Sequence, residues 1–233
     1  MKKLNITHYL VQHIVNDITP LIEGLTQWKL GISNLNILVL PKNQGYEEVI
    51  LGRLQGAGVH INKDHPRSVI EKLLEHVVEA NILGAYQPGT EQLIIIRENV
   101  DESNFDGLKL IIGHELVHRG QHLYFKHLFD QIDEKIKNIF GNINSDMVPF
   151  KEIIQEMEQI RPIMSLIESH AYYIQSVLKQ NYFPDAKIES HFNVATILMS
   201  TFGKAKTSQY TEKIPEVSRA FNNGTMDSLY LNL

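Results

Sequence analysis

Positions 114 to 118 read His-Glu-Leu-Val-His, inside a stretch from Phe105 to Leu123 whose apolar residues recur at helical intervals. On an α-helix a four-residue step turns about 400° and rises about 6 Å, so His114 and His118 project from one face at neighbouring turns. Both imidazoles can then reach one metal ion. Glu115 lies about 100° round from His114 and about 60° from His118 in the other sense, close enough to touch a water on the metal without being a ligand. Ahead of this helix, Leu93-Ile94-Ile95-Ile96 is a short apolar run bounded by Gln87-Pro88-Gly89 and Glu98-Asn99, which reads as a β-strand leading through a short loop into the helix.

Two histidines leave Zn²⁺ short of the three protein ligands a catalytic site uses. A metzincin arrangement would need glycine at 121 and histidine at 124, where this chain has Gln121 and Tyr124. His122 is in phase with the pair but lies about 12 Å along the axis from His114, too far for one ion to bridge. A second helix, read from Pro162 to Lys179, offers a carboxylate and an imidazole, Glu168 and His170. Its core stripe is Ile163, Leu166, Ile167, Ile174, Val177 and Leu178, and Glu168 falls beside it. A carboxylate there needs a partner, because an unpaired buried charge costs several kcal/mol. Glu168 and His170 point about 200° apart, so only one can face the metal helix. The neighbourhood favours Glu168 and leaves His170 either as a hydrogen-bonded core histidine or as a group that orients a ligand or stabilises an oxyanion. Ala171, one turn on, is small enough to let the two helices approach.

The strand, the His-Glu-x-x-His helix and the segment Met164-Ser165-Leu166-Ile167-Glu168-Ser169-His170-Ala171 together resemble the zinicin-like metallopeptidases of type 2. That family carries Met-Thr-Leu-Leu-Glu-Gly-His-Ala at the corresponding place, so Ser169 replaces the usual glycine with another small residue. The stretch Phe202 to Tyr210 is similar to a family segment preceding a final helix. The likeness covers roughly residues 80 to 230. It implies a zincin-like metallopeptidase fold of gluzincin type, with His114, His118 and Glu168 as metal ligands and Glu115 as base.

The remainder is read as one domain over 1-233, with an N-terminal helical and strand part at about 1-80 and a metal-site part at about 81-233. The expected class is α+β, predominantly helical, with a small sheet packed on the metal-site helix. Leu10, Ile14, Ile18, Leu21, Ile22 and Leu25 mark a helix kinked or restarted at Pro20. Asn36 to Leu40 reads as a strand, and Ser68 with Glu71 as the capping box of a helix. Further helices are expected at about 126–139, 148–160, 189–202 and 212–222. No Gly/Ser-rich or Pro-rich linker divides the chain.

A formal charge of −5 with scattered Lys and Arg provides no basic stripe for nucleic acid. No apolar run approaches the roughly 20 residues of a membrane span, and polar residues interrupt the segment after Met1-Lys2-Lys3 where a signal peptide would be apolar. The expected location is cytoplasmic. With no cysteine there is neither a disulfide framework nor a thiolate metal site. His60, His76, His127 and His191 lack partners at ligand spacing.

These residues predict a zinc-dependent metallopeptidase acting on a peptide or protein substrate, with Zn²⁺ as cofactor and Glu115 as general base. The strand at Leu93 to Ile96, as an edge of the cleft, would hold an extended peptide. Gly113 either keeps that approach open or allows tight helix packing. His170, Tyr172, Tyr173 and Tyr210 are the candidate oxyanion donors. Two alternatives remain: hydrolysis of a small amide or ester, and a non-catalytic zinc-binding module, against which Glu115 argues because a structural site needs no base.

Overall fold

The computed structural model describes residues 5–59, 82–141, 150–187 and 211–233. Among them the chain is mostly helical with one three-stranded sheet, an α+β arrangement. In chain order the elements are α1 (His8–Thr26), β1 (Asn36–Leu40), a π-helical turn (Tyr46–Leu51) running into α2 (Gly52–Gly56), β2 (Gly84–Gln87) and β3 (Gln92–Ile96). Then come α3 (Phe105–Tyr124), α4 (Lys126–Gly141), α5 (Phe150–Tyr182), α6 (Ile214–Asn222) and α7 (Met226–Leu231). The Ser68 capping box, the helix expected at 189–202 and the Phe202 to Tyr210 segment lie outside the described residues.

The strand order is β1-β3-β2, with β1 parallel and β2 antiparallel to β3. Leu93 to Ile96 is therefore the central strand and not the edge that borders the cleft. All four of its apolar side chains are buried, as suits a strand covered on both faces. Of the two edges, β1 and β2, the one along the cleft is β2, whose Gly-Ala-Tyr-Gln sequence is short and runs straight into Pro88-Gly89, so it lacks an alternating strand pattern.

Pro20 lies inside α1 and Pro162 inside α5, and neither starts a helix. The segments expected at 148–160 and from Pro162 to Lys179 are one helix of 33 residues. Each proline removes a single backbone donor. The buried faces on either side, Ile18 and Ile22 around Pro20 and Ile160 and Ile163 around Pro162, keep both segments in one core.

Helix α3 is the centre of the molecule, packed by α1, β2, α4 and α5. Asn104 caps its start by accepting from the Gly107 amide at 3.0 Å. Gly107, Leu108 and every residue from Leu110 to Gln121 are buried, so polar side chains on this helix must find partners inside the protein. Gly113 faces the neighbouring helices: a Cβ there would stand 3.0 Å from Leu178 Cδ1 and 3.8 Å from Ile18 Cδ1. It serves tight packing of α1 and α5 on α3, not access for substrate. At Gly120 a Cβ would come within 2.5 Å of the Trp28 ring, which lies directly on the helix. No helix among the described residues is long and apolar enough to cross a membrane.

Candidate metal centre

Three buried donors meet where α3 and α5 cross. His114 Nε2 lies 3.1 Å from His118 Nε2. Glu168 Oε2 is 3.5 Å from His114 Nε2, and its Oε1 is 3.3 Å from His118 Nε2. Helical periodicity puts the two histidines one turn apart, and Ala171, fully buried one turn beyond Glu168, lets α5 come close.

These distances fit a metal ion. A tetrahedral ion with bonds of about 2.0–2.1 Å has ligand atoms about 3.3 Å apart, in the middle of the observed range. Two imidazoles and one carboxylate are also a donor set used for catalytic zinc, with a fourth position for water. The triad therefore has the spacing and chemistry to hold a metal ion.

The proton chemistry of the cluster is uneven. Burial lowers His114, to about 4, and keeps it neutral against the opposing pull of Glu168. Burial acts the same way on His118, but the Glu168 carboxylate outweighs it and raises this imidazole to about 9. Burial would raise Glu168, yet His118 and then His114 hold it well below the usual carboxylate range. Without metal, one proton held on the imidazole pair balances one buried carboxylate.

A polar chain orients His118 from behind. Gln121 Nε2 donates to the Ile167 carbonyl and to the Tyr230 hydroxyl, both at 2.8 Å. The amide orientation is thus set by Ile167, whose carbonyl can only accept. Gln121 Oε1 then faces His118 Nδ1 at 2.8 Å, so Nδ1 carries the proton and Nε2 keeps its lone pair for a metal. Tyr230, having accepted from Gln121, is also hydrogen-bonded to His170 Nδ1 at 2.7 Å. His170 faces Tyr230 and the edge of Trp28, and burial lowers it to about 3, so it is neutral. It stands one hydrogen-bond chain behind the triad. Neither Gln121 nor Tyr230 was among the expected site residues. The three-residue step from His118 to Gln121 could have suggested the first; nothing local points to Tyr230.

Glu115, buried beside the triad, accepts from the Tyr86 backbone N–H at 2.8 Å. This bond ties the edge strand β2 to the metal-site helix. Tyr172 presents its ring edge-on to His114 at 4.7 Å between centroids. Burial, with Glu168 and Glu115 adding to it, raises its hydroxyl well above the usual tyrosine range, so it remains a donor. Tyr173 instead packs edge-on against Phe221, and Tyr210 lies outside the described residues. His122 hydrogen-bonds the Tyr86 hydroxyl at 3.0 Å and does not join the triad. Arg119, also buried, clamps the Leu30 and Gly31 carbonyls at 2.6 and 2.9 Å, a structural tie from α3 to the loop after α1.

The site opens into a cleft of about 630 Å³, solvent included, walled by β2, α4, α5 and the Glu115 and His118 side of α3. Phe129, Ile132, Ile136, Met164 and Ile167 make much of this wall apolar. No family model, curated protein or solved structure matches the chain.

Proposed function

We propose that the chain is a zinc-dependent hydrolase of peptide bonds, with His114, His118 and Glu168 holding the ion and Glu115 acting as general base. The observation that carries this reading is the buried His-His-Glu group with a second buried carboxylate one residue after its first ligand. A helix bearing both histidines, an antiparallel edge strand along it and a third ligand from a following helix also support a zincin-like fold of gluzincin type.

A zinc ion there would supply Lewis acidity, polarising a carbonyl and making water more acidic. The protein's own groups do the rest. Glu115 takes a proton from the attacking water and returns it to the leaving amine. The Tyr86 amide holds that carboxylate in position. Gln121 keeps His118 in the tautomer that offers Nε2. Tyr172, held protonated beside His114, would be the donor to the developing oxyanion. The apolar wall excludes bulk water and strengthens these interactions.

One observation favours a second reading, in which the substrate is a short peptide or a small amide. Ala85, Tyr86 and Gln87 on the edge strand are buried, the Tyr86 N–H is taken by Glu115, and the Gln87 side chain is pinned to the Glu48 and Val49 carbonyls. Such an edge has little room for a long extended chain to add to the sheet.

The test of the hydrolase reading is Glu115→Gln, assayed on a mixed peptide library and a set of simple amides with zinc measured on every sample. Zinc stays bound while turnover falls by about 10² or more, as for a lost general base. A zinc-loaded wild type that cleaves nothing, or a variant that cleaves equally well, defeats the proposal.

A further inference from the structure

Among the described residues lining the cleft, Arg53 is the only arginine or lysine. It comes from the short helix α2, and its side chain is 10% exposed. One arm of the guanidinium, Nη2, pairs with the Asp133 carboxylate on α4. The other arm, Nη1, is closed to solvent and has no hydrogen-bond partner among the described residues. The same cleft is lined by the apolar Phe129, Ile132 and Ile136 and by the acceptors Gln87, Glu115 and Glu168, the last two assigned here to the base and the metal. A buried donor left without an acceptor is costly, and more so when it carries charge. The planar fork of arginine matches a carboxylate better than any other common acceptor.

We propose that Arg53 binds a carboxylate of the substrate, so that the cleft selects short peptides or amides bearing a negative charge near the scissile bond. This rests on the hydrolase reading of the same cleft and names its substrate class. The carboxylate is either an acidic side chain or a free C-terminus. Asp133 pairs with one arm of the guanidinium and leaves the other without a partner.

The experiment measures binding of acetyl-tetraalanine peptides to the zinc-loaded protein by calorimetry, with cleavage followed in parallel. The set comprises a fully blocked neutral peptide, one with a free C-terminus, and blocked peptides with Glu or Gln at each position in turn. At least one carboxylate peptide binds about tenfold or more tightly than its neutral counterpart, the range of a charge-assisted hydrogen bond. Whether the free C-terminus or a Glu position wins identifies the source. Arg53→Gln brings the ratio close to one, and Arg53→Lys, which keeps the charge but loses the fork, lowers it in part. Should Arg53→Gln fail to fold, the lysine variant carries the comparison. Asp133→Asn separates this role from a structural clip: removing the competing carboxylate preserves or raises the preference. The proposal is overturned by equal binding of charged and neutral peptides, by a preference that survives in both Arg53 variants, or by its loss in Asp133→Asn. Selective binding without cleavage would remove the hydrolase reading and keep Arg53; cleavage without selectivity would do the reverse.

Discussion

Two imidazole nitrogens 3.1 Å apart in a buried setting, with a carboxylate within 3.5 Å of both, form a group with the spacing to hold a metal ion. Its three side chains differ in how far the sequence discloses them. His114 and His118 follow from spacing alone, because four residues on a helix return to the same face. Glu168 against His170 is a matter of helix phase, and the structure turns Glu168 to the histidines and His170 to Tyr230. The contacts behind them depend on the fold: Gln121 gains its role only once Ile167 and Tyr230 are brought beside it. The same geometry predicts the outcome of metal analysis on variants. His114→Ala and His118→Ala each lose most of the zinc, and Glu168→Gln weakens it, whereas His170→Ala leaves it largely bound. Retention of zinc in Glu168→Gln together with its loss in His170→Ala would exchange the two assignments.

At the level of elements, β1 and α3 are legible as local patterns, while the prolines and the edge strand mislead. Pro20 and Pro162 read as breaks because each removes a backbone donor, yet the apolar faces on both sides outweigh one missing bond. The edge strand β2 is hidden by its small and polar residues, and only its pairing with β3 defines it. Helix α7 is the least legible, since six residues carry little periodicity of their own. Its Tyr230 is fully buried, stacks on Phe125 at 4.0 Å and closes the polar chain behind His118. A conserved-shape change in this chain should reach the metal without touching it. Gln121→Met weakens zinc affinity by about ten- to a hundredfold, as for other groups that orient a ligand, and Tyr230→Phe has a smaller effect in the same direction. Competition titration with a chromophoric chelator measures both. Unchanged affinity in Gln121→Met would mean that His118 is oriented without this bond.

Over the whole molecule, the helix-rich α+β class is readable from periodicity, but the strand order and the cleft are not, because both arise from contacts between distant segments. The triad joins α3 to α5 through the core, so metal and stability are linked. An ion bound only by the folded state stabilises it by about 2.7 kcal/mol when free metal is a hundred times Kd. The pH dependence has a definite sign. In the metal-free protein Glu168 raises His118 from an ordinary 6.5 to about 9, so the stabilisation from that proton is complete below pH 6.5 and lost as pH rises through 9. Zinc needs the deprotonated imidazole and binds more tightly over the same interval. The gap in Tm between zinc-loaded and zinc-stripped protein therefore widens from pH 6.5 to 9. A gap that narrows as pH rises would contradict this linkage.

The most direct test of the account is anomalous diffraction at the zinc edge from crystals of the zinc-loaded protein. The predicted result is one strong peak about 2.0–2.2 Å from His114 Nε2, His118 Nε2 and a Glu168 oxygen, with a fourth position open toward Glu115. Absence of a peak at these three side chains, or a peak held by other residues, would contradict the metal centre and the hydrolase built on it.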